Sequence, residues 1–483
     1  MRSKKSIQFN ALINGIKTLF LVAFPLITFP YAAKTLGVHG IGRYNFAYSI
    51  VSYFMLLAGL GVYNYAVREG ASIRNDKEKF SIFASEILEF NIISTIVAFF
   101  FLLVLCFLEN GIAEYRTLIL VISINIILTT LGCEWVYAIY EEYLYIAIRG
   151  IVFQIISMIL LFTCVHSSRD IIIYSITTLV SLSGYNLLNI IGLHNKFHFM
   201  IQPINSLKKH FVPIILLFAN SIATTIYINS DTTILGMLVG DYSVGLYSVS
   251  TKVYSIIKSI LASVIIVSIP RMSEFWANDN YEKFNMLGNR ILNSFITLTF
   301  PAMFGIYLMA NEIIDIIADR TYREADMSLK ILSIALLVSV FNWFFQSSVL
   351  IPSKNEKKVL YASCAAALIN IILNFIFIPI FKQNAAAFTT LIAEIVALMI
   401  SWHYASSIIK LQIKLRDILS IVTGCGFICI YCWVIKLVTA GLIRVLMIIC
   451  GSVVGYFLIL VAFKNSLIVD IMIKVKKIFK RRI

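Results

Sequence analysis

Charged residues are scarce in this sequence. Asp, Glu, Lys and Arg together form 13% of its 483 residues, whereas hydrophobic residues form 60% and the mean hydropathy is +0.89. A soluble domain carries about twice that share of charge. Apolar runs of about 20 residues recur along the chain, and this length lets a helix cross the hydrocarbon core of a bilayer. The sequence therefore excludes a soluble fold and predicts an all-α polytopic membrane protein.

Long polar segments are also missing. The longest, roughly 194–210, 271–288 and the C-terminal tail, each hold fewer than about 25 residues, which is too few for a separate domain. The glycine-rich run at 37–42 follows an apolar helix rather than a strand, and no Gly-Lys-Ser/Thr motif is present, so it is not a phosphate-binding loop. A membrane polymerase or ligase would need a larger outer loop than the one near 319–326. We therefore expect that the protein is not an enzyme and needs no cofactor.

The eight cysteines all lie in apolar runs. Cys429 and Cys432 form a Cys-x-x-Cys pair, with Cys425 one turn earlier. Gly, Ile and Phe surround them instead of the acidic residues or histidines of a metal or redox site. We therefore expect ordinary packed thiols and predict no metal site.

Fourteen apolar spans can be counted, and the positions of lysine and arginine test this count. With the N-terminus placed inside, the inner segments hold 26 Lys and Arg and the outer segments hold 9. Positive residues collect on the cytoplasmic side of membrane proteins, so this ratio favours cytoplasmic termini and an even number of spans. The same bias explains the net charge of +15, which therefore does not indicate nucleic-acid binding. The predicted spans are 12–33, 44–66, 82–108, 117–140, 146–165, 171–193, 211–237, 245–269, 291–318, 327–351, 359–381, 385–409, 418–438 and 445–463.

A weak internal echo relates the two halves of the chain at an offset of about 203 residues. Gly37 and Gly42 then align with Gly240 and Gly245. Because six spans precede the linker at 194–210, the halves have the same orientation and form a parallel repeat. We predict an N-terminal lobe at 1–195, a C-terminal lobe at 196–410 and two appended spans at 411–463. The basic cytoplasmic tail at 464–483 is either an in-plane helix on anionic lipid or disordered.

Several hairpins resemble those of one known family. The turn at 36–54 and its continuation at 57–69 resemble the N-terminal signature of the polysaccharide flippases, the Wzx-type O-antigen and exopolysaccharide transporters. Segments 133–150, 229–253 and 370–394 are similar to that family's later hairpins and follow in the same order. The turn at 381–384 departs from the family pattern because it lacks a glycine.

The resemblance implies both an architecture and a substrate. It implies two six-helix lobes around a central cavity that work by alternating access in the bacterial cytoplasmic membrane. The implied substrate is an oligosaccharide linked to undecaprenyl diphosphate, and the implied partners are membrane lipids and the polysaccharide polymerase machinery. An ion-coupled exporter of cationic drugs, from the same superfamily, is the alternative.

A diphosphate head group needs cations in a wet cavity to cross a membrane. Lys258 is the deepest cation, and it either faces such a cavity or pairs with a carboxylate between helices. Lys252 and Asp231 lie at similar depths on adjacent helices, so they form either a structural ion pair or a coupling-ion or substrate site. Lys252 and Lys258 are six residues apart, about 240° around a helix, so they cannot both point straight at one ligand.

Three further cations are candidates for substrate binding. Arg43 flanks the first outer turn, whereas Lys17 and Arg149 lie near the ends of their spans and could instead snorkel to water. Pro25 and Pro30 lie within the first span and form either a hinge or static kinks.

Carboxylates in the spans are the candidates for ion coupling. Glu394 is the best of them, unless it is the partner of a lysine within its own lobe. Glu86, Glu89 and Glu134 lie within two turns of the cytoplasmic face and are expected to be wetted.

The spacing of Gly451 and Gly455 favours close packing of the last span on the preceding one.

Overall fold

A computed structural model describes the backbone of residues 7–266, 268–412, 414–470 and 472. It describes their side chains except those of 7–19, 21–22, 216–217, 219–220, 263–266 and 442. Every regular element in these ranges is helical, which confirms the predicted all-α class. Most of the basic tail lies outside the described residues.

The chain forms two compact units. The first runs to Ser248 and includes Ile317–Thr321, and the second comprises Val249–Ile316 and the chain from Tyr322 onward. The predicted lobe boundaries at 195/196 and 410/411 stay predictions.

The first unit is built on one long broken helix. Gly37 interrupts this helix with a φ of 70° and a ψ of 179°, at the position of the first predicted outer turn. Only glycine adopts such a conformation readily, because it has no Cβ. The helices of this unit are α1 (Ile7–Gly59), α2 (Val62–Ile73), α3 (Lys77–Leu108), α4 (Arg116–Gly132), α5 (Glu134–Ile139), α6 (Tyr143–Cys164), α7 (Ile171–Leu179), α8 (Asn186–Leu193), α9 (Ile204–Leu238) and the start of α10 (Asp241–Ile266).

Within this unit, the two echoing hairpins touch each other through their glycines. A Cβ on Gly42 would lie 1.8 Å from the carbonyl oxygen of Asp241, and a Cβ on Gly245 would lie 2.1 Å from that of Val38. Val38 and Asp241 are themselves 203 residues apart, so the two contacts are reciprocal copies of each other. The missing side chains let the two backbones approach closely, as small residues do between membrane helices.

The second unit contains another helix that is broken in the middle. Lys382 interrupts it with a φ of 50° and a ψ of −131°, in the turn that lacks the family's glycine. The helices of this unit are the rest of α10, α11 (Ile269–Ala277), α12 (Tyr281–Leu308), α13 (Ala310–Ile317) except its last residue, α14 (Asp326–Phe344), α15 (Glu356–Ala405), α16 (Leu415–Val438) and α17 (Gly441–Ala462).

The last two helices pack as their glycines predict. A Cβ on Gly451 would meet the Tyr431 hydroxyl at 2.2 Å, and one on Gly455 would meet the Phe427 ring at 2.1 Å. Both aromatic residues lie on α16, so the glycines of α17 admit the large rings of the preceding helix. The spacing therefore predicted this contact correctly.

Ten helical segments in the described part of the chain are long and apolar enough to cross a membrane. Two of them, at 51 and 50 residues, contain the breaks at Gly37 and Lys382 and are each long enough for two passages. The protein is therefore a multi-pass membrane protein, and the count of fourteen spans stays a prediction.

Candidate functional site

Lys258 and Glu394, two residues predicted to have separate roles, lie together in the second unit. The Lys258 Nζ is 3.1 Å from Glu394 Oε1, and the hydroxyl of Tyr254 lies 3.0 Å from that Nζ. The Tyr254 hydroxyl also donates to Glu394 Oε1 at 3.2 Å. Lys258 and Tyr254 are four residues apart on α10, so one face of this helix presents both groups to α15.

The other oxygen of Glu394 is held from α14. Asn342 donates from Nδ2 to Glu394 Oε2 at 3.3 Å. The side-chain oxygen of Asn342, Oδ1, accepts from the Ser401 hydroxyl at 2.9 Å. Gln346 donates to the same serine at 3.2 Å. Gln346 belongs to the π-helical turn Phe345–Leu350, a deviation that is frequent at functional sites.

The two partners of this ion pair differ in exposure. The Glu394 side chain is 3% exposed, whereas that of Lys258 is 32% exposed. Ser255 and Ser259, also on α10, are exposed as well. An ammonium against hydrocarbon is costly, so we expect the open part of Lys258 to face an aqueous space.

Asp231 accepts a hydrogen bond within the first unit. The Tyr247 hydroxyl donates to Asp231 Oδ2 at 2.7 Å, and both residues are buried. Asp231 is on α9 and Tyr247 is on α10, so this bond joins the two helices of one hairpin. Lys252, the third candidate in this region, lies on α10 just inside the second unit and is partly buried.

Arg149 is enclosed by aromatic rings. Its side chain is 2% exposed, and its guanidinium carbon lies 4.8–5.2 Å from the rings of Tyr137, Tyr145 and Tyr185. The nearest carboxylate oxygen is Glu134 Oε1, 3.6 Å from Nη2. Such burial does not fit a snorkelling arginine, because the guanidinium does not reach solvent.

The acidic neighbours of Arg149 in the sequence pair elsewhere. Glu141 accepts from Arg74 at 2.7 Å, and Glu142 pairs with Lys196. Glu141 and Glu142 therefore each have a basic partner other than Arg149.

Arg43 lies at the first hairpin, where the sequence places it. Its Nη2 donates to the backbone oxygen of Glu114 at 3.1 Å, and its guanidinium lies 5.7 Å from the centre of the Tyr115 ring. Pro25 and Pro30 lie within α1, whose backbone leaves helical geometry at Gly37. The side chain of Lys17 lies outside the described residues.

The expectation that Glu86 is wetted is wrong. Its side chain is 4% exposed, and its two oxygens contact Lys209 Nζ at 2.8 Å and His210 Nε2 at 3.0 Å. Burial lowers the pKa of His210, and the bond with Glu86 opposes this effect. The start of α9 therefore docks on α3 and covers the carboxylate of Glu86. Glu89 is also engaged there, because it accepts from the backbone of Gln202 at 2.8 Å.

The sequence analysis missed Tyr254, Asn342 and the lysine–histidine pair at 209–210. An asparagine inside an apolar span was the available signal for Asn342, because such a side chain needs a polar partner. Tyr254 gave no signal, since tyrosine is common in membrane helices.

An apolar cavity of about 880 Å³ lies in the second unit. Its walls come from α12, α14, α15 and α16, and include Phe300, Phe341, Trp402 and Gly426. Such a cavity accepts hydrocarbon rather than a sugar or a phosphate.

Comparison with known families tests the resemblance. Residues 7–276, more than half of the chain, match the family described as polysaccharide biosynthesis protein. The chain belongs to the polysaccharide biosynthesis protein family. Residues 216–376 also match the family described as MatE. The family predicted from the hairpins is thereby confirmed.

Two relatives align with most of this chain. A putative O-antigen transporter of Escherichia coli is 20% identical over 406 residues, which is 81% of this chain and 94% of the relative. The capsular polysaccharide biosynthesis protein CapF of Staphylococcus aureus is 24% identical over 372 residues, which is 75% of this chain and 90% of the relative.

Solved structures of transporters share the fold. The lipid II flippase MurJ in an inward closed conformation superposes with a TM-score of 0.75 at 20% identity, covering 95% of this chain and all of that one. An inward-facing multidrug resistance transporter of the MATE family gives 0.63 at 13% identity, over 82% of this chain and 97% of that one. The polysaccharide-family chain therefore has the helical transporter fold that its hairpins imply.

Proposed function

We propose that this protein is a flippase that carries an oligosaccharide linked to undecaprenyl diphosphate across the bacterial cytoplasmic membrane, by alternating access, for surface polysaccharide biosynthesis. The observation that carries the proposal is membership of the polysaccharide biosynthesis family. The relative named as an O-antigen transporter, which aligns over nearly its whole length, supports it.

The buried charges support an anionic substrate. Lys258 is a partly exposed ammonium in a predicted membrane span, and a diphosphate needs such a cation. Lys252, Arg43, Arg149 and Lys17 are the further proposed cations, with Asp231 and Glu394 proposed for ion coupling and Pro25 and Pro30 as hinge residues.

The apolar cavity offers a place for the lipid part of this substrate. Its lining of Phe, Leu, Ile and Trp side chains suits part of an isoprenoid chain, while the charged head group meets Lys258. The ratio of lysine and arginine between inner and outer segments supports cytoplasmic termini. The polysaccharide polymerase machinery is the proposed partner.

An exporter of cationic drugs is the second candidate. The match to the MatE family and the buried carboxylates of Asp231 and Glu394 favour it. Lys258 weighs against it, because it neutralises Glu394 and leaves no net negative charge at this pair.

Transport in proteoliposomes tests the proposal. A fluorescent undecaprenyl-diphosphate saccharide would be incorporated with the purified protein, and an impermeant quencher would report how fast the label crosses. We expect protein-dependent crossing that is lost in Lys258→Glu, because this change places a negative charge where the diphosphate binds. The matched control is Lys436→Glu. Lys436 pairs with Glu312 at 2.9 Å, and its side chain is as exposed as that of Lys258.

One result would count against the flippase, and another would count against the role of Lys258. Absence of crossing by the wild type, together with efflux of cationic dyes, would favour the drug exporter. Full activity of a folded Lys258→Glu variant would remove Lys258 from the substrate site.

A further inference from the structure

We infer that binding of a diphosphate head group at Lys258 makes Glu394 take up a proton, so that head-group binding and proton binding are linked at this pair. The inference rests on the proposed function and names the chemistry of the same site.

Among the residues that the structure describes, Lys258 is the cation that contacts Glu394. In the described part of the chain, the groups that contact its carboxylate are the ammonium of Lys258, the hydroxyl of Tyr254 and the amide of Asn342. Lys258 and Tyr254 are the titratable ones, and Gln346 acts on Asn342 through Ser401 as a further neutral group. Lys330, at the start of α14, is paired with Asp326 at 2.6 Å.

Lys258 can leave this carboxylate more easily than the carboxylate can leave its pocket. The lysine is partly exposed on a flexible four-carbon stem, whereas Glu394 is buried and bonded on both oxygens. A diphosphate carries at least two negative charges and several acceptor oxygens, so it competes well for the ammonium. The head group can therefore reach Lys258 without reaching Glu394.

Once Lys258 turns to the head group, Glu394 keeps only neutral donors. A buried carboxylate without a cation is strongly disfavoured, and it binds a proton instead of remaining charged. One proton from the buffered aqueous solution forms an O–H bond on Glu394, the buffer is left as its conjugate base, and the ammonium changes partner without losing a proton. When the head group leaves, Lys258 returns and the proton is released to water.

Linkage makes this exchange measurable. If one extra proton binds with each head group, the affinity for the head group rises as the pH falls, by up to about tenfold per pH unit. Tyr254 and Asn342 act as positioning residues, because they hold the carboxylate in place in both states.

Proton counting on the purified full-length protein tests the inference. Farnesyl diphosphate, a soluble prenyl diphosphate, serves as the probe. Calorimetry in two buffers with different heats of ionisation gives the number of protons taken up per bound probe. The probe itself titrates, so the informative quantity is the difference between the wild type and Glu394→Gln.

We expect the wild type to take up about one proton more per bound probe than Glu394→Gln. Lys258→Gln should abolish the extra uptake, because its Glu394 already lacks a cation. Glu312→Gln, which breaks the comparable pair with Lys436, should keep the extra uptake. A Lys258→Gln/Glu394→Gln double variant has two neutral side chains at this pair, and it reports whether the protein folds when both charges are removed.

Failure of this inference can be distinguished from failure of the proposed function. Binding of the probe with equal proton uptake by wild type and Glu394→Gln overturns this inference alone. A requirement for sodium in place of the extra proton also overturns it. If neither the wild type nor any folded variant binds farnesyl diphosphate, the proposed function fails and this inference fails with it.

Discussion

Lys258 and Glu394 would each be unfavourable alone in a predicted membrane span, and their contact offsets most of that cost. A buried charge whose partner is removed commonly costs about 3–5 kcal/mol, so either single substitution is harsher than the double one. At this site the partial exposure of the lysine reduces that figure. The variants used to test function therefore need a neutral double substitution as a folding control.

Lys382 is a second residue whose local conformation conflicts with its type. With a φ of 50° it lies in the region that favours glycine, at the turn inside α15. We predict that Lys382→Gly stabilises the protein by about 1 kcal/mol, because it relieves this backbone strain. The melting temperature of the purified protein in one detergent measures the effect.

Lys357→Gly provides the contrast for that prediction. Lys357 lies in the first turn of the helical part of α15, where glycine is expected to lower the melting temperature. A fall in melting temperature for Lys382→Gly as well would show that the turn is not strained.

At the scale of elements, the two echoing hairpins form one reciprocal contact. Gly42 meets the backbone at Asp241, and Gly245 meets it at Val38. Nearby, the His39 ring lies 5.2 Å from that of Tyr242, and its Nδ1 is 3.4 Å from an oxygen of Asp241. The contact couples hairpins from the two halves of the sequence.

We predict that Gly42→Ala destabilises the protein by about 1–3 kcal/mol, since the new methyl group would overlap a backbone carbonyl that cannot rotate away. Gly245→Ala should act similarly. The measurement is again the melting temperature.

Gly59→Ala is the matched control on the same helix. Apart from its own helix backbone and chain neighbours, no described atom lies within 4 Å of its Cβ position, so this variant should melt at or slightly above the wild-type temperature. Equal melting temperatures for Gly42→Ala and Gly59→Ala would mean that the hairpins separate without cost.

At the scale of the whole molecule, the proposed transport must accommodate a long apolar chain. Gly426 lines the apolar cavity. Apart from its own helix backbone and chain neighbours, no atom in the described part of the chain lies within 4 Å of its Cβ position, so a larger side chain there would extend into open space. We predict that Gly426→Phe folds normally but slows transport of the undecaprenyl substrate at least several-fold. Initial rates in proteoliposomes measure this change.

Gly305→Phe is the corresponding control. Gly305 lies on α12, also has open space around its Cβ position and is not part of the cavity wall. It should transport at the wild-type rate. Equal slowing by both variants would indicate a general effect of phenylalanine on the unit rather than occupation of the cavity.

The sequence by itself determined the class of fold, the family and the places where helices turn. Apolar runs and glycine positions are local properties, and a helix in a bilayer must satisfy its own backbone within one segment. This is why the breaks at Gly37 and near 381–384 were readable in advance, and why the packing of Gly451 and Gly455 was predicted correctly.

Only the tertiary structure decided which charges meet. Lys258 and Glu394 are 136 residues apart, and Glu86 and His210 are 124 apart, so no local pattern relates them. Sequence position suggested that Glu86 was wetted, but Lys209 and His210 at the start of α9 bury it. Depth along a span follows from hydropathy, whereas the partner of a charge depends on how separate helices pack side by side.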